Sequence, residues 1–177
     1  MNFEEDLKKG QSKSKTVRIV RHVDADAARF ALLMKVMLED NEQLKQRASW
    51  PVSEIALLHP QLLKSYYSTI IALLEKPGTS APFKRHFLRV FAVHGIPEKW
   101  EGRLLNCCMA WIPSEQEAIA VRAFSISAAT RICCKYPELQ NELIALLEVL
   151  LEMPVSGAIQ VRIKRAIKDV KSARASV

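Results

Sequence analysis

Glycine is scarce in this chain of 177 residues: five in all, at positions 10, 78, 95, 102 and 157, each isolated. No phosphate-cradling loop can be assembled from such spacing, which excludes nucleotide binding through a P-loop or Rossmann turn. Cysteine is equally sparse. The four residues come as two adjacent pairs, Cys107–Cys108 and Cys133–Cys134, so the Cys-x-x-Cys spacing of zinc sites and thioredoxin-like redox motifs is missing. Histidines 22, 59, 86 and 94 are scattered, and no carboxylate stands at a ligand spacing between the last two. No metal or cofactor is expected.

Long apolar runs are lacking as well. The longest are broken by Lys, Glu or Arg within about ten residues, well short of the roughly twenty that span a bilayer, so no membrane contact is expected. The opening stretch MNFEEDLKKGQSKSK carries acids near its start and has no apolar centre, unlike a secretory leader. A cytoplasmic protein is expected.

The net charge of +7 is unevenly placed. Residues 1–21 carry +3 and residues 155–177 carry +5, leaving −1 on the 133 residues between them. A nearly neutral body therefore lies between two basic ends.

What the chain does have is repetition. HPQLLKSYYSTIIALLEKP, residues 59–77, and YPELQNELIALLEVLLEMP, residues 136–154, are identical at six of nineteen positions. Pro60, Pro97 and Pro137 each open a strongly apolar segment, and Pro77, Pro113 and Pro154 each follow one. Proline is tolerated in a first helical turn and cannot continue a helix at its far end, so this punctuation predicts three helices of about four turns. Leu62, Leu63, Tyr66, Tyr67, Ile70, Ile71 and Leu74 recur at spacings of three and four, the period of one helical face. Leu139, Leu143, Ile144, Leu146, Leu147, Leu150 and Leu151 mark the same stripe. Displaced by 39 residues, that stripe falls on Trp100, Leu104, Leu105, Cys107, Cys108, Trp111 and Ile112, all apolar.

Each of these segments is preceded by another helical one: KQRASWPVSEIALL, FKRHFLRVFAVHG and AVRAFSISAATRICCK. From one closing proline to the next the unit is 36 to 41 residues long. That period belongs to HEAT or armadillo arrays, in which a helix pair covers its apolar face only by stacking on neighbours. The expected fold is all-α, an α-α superhelix of about three such pairs plus capping helices. Residues 24–40 form one cap, with Asp24 or Asp26 as N-cap. Residues 156–173 form the other, with Ile159, Ile163, Ala166, Ile167 and Val170 inward. Residues 1–15 hold too little apolar content to pack and are expected to be a mobile polar tail to a single repeat domain over 16–177. Residues 16–23 read equally as helix or as extended chain.

RASWPVSEIALLHPQLL, FKRHFLRVFAVHGIPEKWEG and AVRAFSISAATRICCKYPELQNEL resemble a group of short bacterial HEAT-like proteins over roughly residues 24–170. Some members of that group are described as adenylosuccinate lyases. True adenylosuccinate lyases resemble the fumarase superfamily, whose Ser-Ser-x-Met-Pro-x-Lys-x-Asn-Pro loop has no counterpart in this chain, so lyase chemistry is the third of three functional readings.

The side chains that could carry chemistry each have a plainer role. Cys107 and Cys108 occupy slots filled by Leu146 and Leu147 in the third copy, and a thiol there acts as a small apolar filler. His59 beside Pro60 matches Tyr136 beside Pro137, a helix junction. Trp50, Trp100 and Trp111, with the arginines, suggest helical-repeat DNA glycosylases of the alkylation-repair type, although Trp100 and Trp111 lie in the core stripe and only Trp50 stands outside it. The clearest surface signal is charge. Lys84, Arg85 and Arg89 share one helix, Arg122 holds the matching place in the next repeat, and Arg162, Lys164, Arg165 and Lys168 line the last helix. These eight residues are the expected interaction surface, with no catalytic residue among them. A non-enzymatic module that binds a protein partner is the first reading; a binder of nucleic-acid backbone through the basic ends is the second.

Overall fold

The computed structural model describes residues 1–175, and these form α-helices and one 3-10 turn, with no strand among the described residues. Ser176 and Val177, the last positions of the expected 16–177 domain, lie outside the described residues. In chain order the helices are α1 (Phe3–Lys8), α2 (Lys13–Val23), α3 (Ala27–Leu38), α4 (Glu42–Leu58), α5 (Tyr67–Glu75), α6 (Ala81–His94), α7 (Glu98–Trp111), α8 (Ile119–Cys133), α9 (Pro137–Leu151) and α10 (Gly157–Arg174). Internal contacts gather them into two compact units, the first ending at Val90 and the second beginning at Phe91.

In the first unit α3 and α2 pack on α4, and α1 lies against α3 and α4. In the second α7 packs on α8, while α10 packs on both α8 and α9. The stripes read from the sequence face inward. Leu63, Ile70, Ile71 and Leu74 are buried in the first copy, Leu104, Leu105, Cys108 and Ile112 in the second, and Leu143, Leu147 and Leu150 in the third. Each large apolar side chain so removed from water contributes about 1.5–3 kcal/mol.

The repeat is also written in polar contacts. Asp24–His59, Glu54–Arg89, Glu101–Tyr136 and Ser127–Arg162 are hydrogen-bonded pairs 35 residues apart, and Ser49–His86 are 37 apart. One repeat thus reaches its neighbour at nearly constant separation.

Helix ends follow from local chemistry. Pro137 is the first residue of α9 and Pro97 the N-cap of α7. Asp26 caps α3, accepting from the backbone N–H of Ala28 and Arg29 at 2.9 Å each; these bonds hold its carboxyl below the usual carboxylate range. Asp24 does not cap. It adopts a positive φ of 47° and accepts from His59 Nε2 at 3.1 Å. Ser156 caps α10, whose Ile159, Ile163, Ala166 and Val170 are buried as expected.

The first copy departs from the expected four-turn helix. Pro60 opens only a 3-10 turn, Pro60–Leu63, and regular helix begins at Tyr67. Residues 64–66 form a turn between the two, where Ser65 and Tyr66 have weak helix propensity, and Tyr66 sits at φ −116°, ψ −4°.

The N-terminus is a second correction. Residues 1–15 are not an unpacked tail: they form α1 and the start of α2, with Phe3 and Leu7 buried. Arg47 Nη1 donates to the carbonyls of Leu7 and Lys8 at 2.9 and 3.0 Å, tying the end of α1 to α4. Residues 16–23, undecided from sequence, belong to α2.

Candidate functional site

Arg89 and His86 tie α6 to α4. Arg89 Nη1 donates to Glu54 Oε1 at 2.8 Å, and the indole N–H of Trp50 donates to the same oxygen at 3.2 Å. Arg85 Nη2 lies 2.9 Å from His86 Nε2. A guanidinium only donates, so Nε2 is the acceptor and the imidazole carries its proton on Nδ1. That N–H donates to Ser49 Oγ at 2.8 Å, and the serine hydroxyl donates to the Gln46 carbonyl at 2.7 Å. The His86 ring also lies nearly parallel to Trp50, centroids 6.4 Å apart. Burial first, then the Arg85 charge, pushes the His86 pKa down to about 4. The imidazole is therefore neutral at neutral pH and works as a strut between α4 and α6 (Lys84, next along α6, is half-buried).

Arg122 is not on a surface. It is buried, and its Nε donates at 3.0 Å to the carbonyl of Ile112, the C-cap of α7. Carbonyls at a helix end have no intrahelical partner, and Arg122 supplies one. Register alone equates it with Arg85, which is exposed. The two arginines face different environments because Arg122 has a helix end within reach.

On α10, Lys164 and Lys168 are exposed. The Arg165 side chain is 80% exposed, with Nε 3.9 Å from Asp169 Oδ2. Arg162 is half-buried and fixed: Nη1 donates to Ser127 Oγ at 2.7 Å, and Cζ lies 5.6 Å from the centre of the Phe124 ring.

Arg162 and Arg165 line a groove of about 520 Å³ within the second unit, bounded by α8, α10 and the last turn of α6. A third guanidinium, Arg131, enters from α8, and the apolar wall comes from Val93, Phe124 and Ala166. Arg131 lies on the turn after α6. Gly95 there has φ +75°, and a Cβ built on it would stand 2.9 Å from Arg131 Nε. Glycine is required twice at this position, for the backbone angle and for the space the arginine occupies. Asp169 is the one carboxylate lining the groove among the described residues.

Phe124, Ser127 and Arg131 were not marked by the sequence as site residues. The signal available was the spacing of Phe124, Ser127 and Arg131 at three and four along α8, which places them on one face. Of the expected surface residues, the groove gathers Arg162 and Arg165. Lys84, Arg85 and Arg89 lie in the first unit, and Arg122 is in the core.

The remaining reactive groups are committed elsewhere. Glu101, 3% exposed, accepts from Lys135 Nζ and from the Tyr136 hydroxyl at 2.8 Å; the Tyr136–Glu101 bond raises the Tyr136 pKa to about 12. Cys108 and Cys133 are buried. Burial raises both thiols, Cys133 to about 11, so neither is an activated nucleophile. Among the described residues no three His, Cys, Asp or Glu side chains gather as a metal site, and no helix is long and apolar enough to cross a membrane.

The HEAT repeat domain family matches residues 3–170. No curated protein and no solved structure matches the chain. With nearly its whole length matched and the polar ties of its helix pairs recurring at one repeat's separation, the chain belongs to the HEAT repeat domain family.

Proposed function

We propose that this chain is a non-enzymatic module of the cytoplasm that binds another protein, and that the α8–α10 groove is where it does so. The observation that supports this reading is the groove itself: three guanidiniums beside an apolar wall, one of them already fixed by Ser127 and Phe124. HEAT-type stacks offer extended surfaces for partners. Elsewhere, the Glu54–Arg89 and Glu101–Lys135 pairs serve as struts between elements. Affinity capture from native extract tests the reading, with an R162E/R165E double variant as the control. A protein recovered by the wild type and lost from the variant is the expected result; the same background from both refutes it.

A second reading, contact with a nucleic-acid backbone, draws support from the exposed row Lys164, Arg165 and Lys168 on α10. It predicts retention on heparin that fades between roughly 50 and 200 mM salt. No retention at low salt removes it.

A further inference from the structure

We infer that the α8–α10 groove takes a short acidic segment of a partner protein, an Asp or Glu carboxylate with an apolar residue beside it. The inference rests on the protein-binding reading above and specifies its ligand.

Charge selects the anion. Among the described residues, Arg131, Arg162 and Arg165 face the groove against a single carboxylate, Asp169. Guanidiniums recognise carboxylates through paired, planar N–H donors. Arg162 is best prepared for this. Its Nη1 is engaged by Ser127 Oγ and its plane rests near the Phe124 ring, so little freedom is left to lose on binding. The Ser127 hydroxyl itself donates to the Ala123 carbonyl at 3.3 Å, which leaves its oxygen lone pairs facing the arginine. Gly95 holds open the place of Arg131. Arg165, largely exposed and only 3.9 Å from Asp169 at its closest approach, can turn to an incoming carboxylate.

The wall selects the neighbour. Val93 is 55% exposed at the groove, and Phe124 and Ala166 continue the apolar surface. An apolar residue adjacent to the acid covers Val93 while its carboxylate meets the arginines. A nucleic-acid strand fits less well. It brings a charge with every nucleotide and needs a continuous cationic track, whereas here Asp169 interrupts the cations and an apolar wall flanks them. The volume, about 520 Å³, lies within the roughly 300–1,000 Å³ of ligand clefts, and so suits a few residues rather than a folded surface. Cys134 also lines the groove. Burial and the Asp169 charge keep its thiol protonated, so the contact is non-covalent.

The test is selection from a displayed library of random dodecapeptides on the wild-type protein, with counter-selection on R162E/R165E and on the exposed-site variant Arg131→Glu. Circular dichroism verifies that each variant is helical, and Arg131→Glu serves alone if the double variant does not fold. Enriched peptides are expected to carry Asp or Glu next to Leu, Ile, Val or Phe. In fluorescence anisotropy, exchanging that Glu for Gln in the peptide should weaken binding about tenfold or more, the scale of a lost charge-assisted pair. Arg162→Lys should weaken it several-fold, and Asp169→Asn should strengthen it. Enrichment of neutral or basic peptides, a Glu-to-Gln change of less than about twofold, or displacement of the peptide by single-stranded DNA at physiological salt overturns the inference. Failure here is separable from failure of the wider reading. A partner captured through the groove without acidic preference leaves the module standing and sinks only the ligand class; a partner retained by both groove variants sinks the groove as the binding site.

Discussion

His86 makes the stability of the first unit sensitive to mild acid, and the size of the effect follows from its surroundings. The imidazole is 5% exposed, donates to Ser49 and accepts from Arg85, so protonating Nε2 would abolish the Arg85 bond and set two cations side by side. Its pKa is about 4 in the folded chain against 6.5 for a free histidine. As pH falls the unfolded chain therefore binds this proton first. The associated stability is fully present above pH 6.5 and is lost as pH falls toward 4. Between pH 7 and 4.5 the loss is about 2 kcal/mol, or roughly 4–8 °C in Tm for a chain of this length. His86→Gln keeps amide donors and acceptors near Ser49 and Arg85 and cannot titrate. Thermal unfolding followed by circular dichroism should show the wild-type advantage over His86→Gln shrinking by about that amount between pH 7 and pH 4.5. Imidazole NMR supplies the direct measure: the His86 ring signals should stay fixed from pH 7.5 to 5 with the proton on Nδ1. A titration midpoint near 6.5, or parallel Tm curves for the two proteins, refutes the reasoning.

Other expectations concern packing and caps. Leu7→Ala should destabilise by about 2–5 kcal/mol, as for a leucine deleted from a core, because Leu7 is fully buried; an unchanged urea midpoint would return residues 1–15 to the status of a loose tail. Asp26→Ala removes a cap with two backbone bonds and should lower the Tm measurably. Asp24→Ala removes a single bond from a largely exposed carboxylate and should cost less, so reversal of that order in thermal melts contradicts the assignment. Gly95→Ala forces a side chain onto φ +75° and against Arg131 Nε; a loss of about 1–2 kcal/mol together with weaker peptide binding in the groove is expected, and calorimetry measures both.

The helix pairs were legible because proline and apolar spacing act locally. Pro97 and Pro137 begin helices for reasons contained within a few residues, and the Leu143, Leu147, Leu150 stripe needs no knowledge of its partner. Features decided by neighbours were not legible. Phe3 and Leu7 are isolated apolar residues in a polar stretch, and the packing of α1 on α3 and α4 makes them core. The Pro60 segment matches its later copy in apolar pattern, yet a turn over residues 64–66 divides it into a 3-10 turn and a shorter helix. Arg85 and Arg122 are equivalent by register, and the Ile112 carbonyl draws only one of them inward. The groove shows the same limit: Arg162 and Arg165 were visible as charge on a terminal helix, while Phe124, Ser127 and Arg131 join them only through the packing of α10 on α8.

Hydrogen–deuterium exchange of the protein with and without its captured partner tests the central claim most directly, since it reports which backbone segments the partner covers. The account predicts added protection over residues 124–134 and 159–169, with residues 84–89 unchanged. Protection over 84–89 with the α8 and α10 segments unaffected would contradict it.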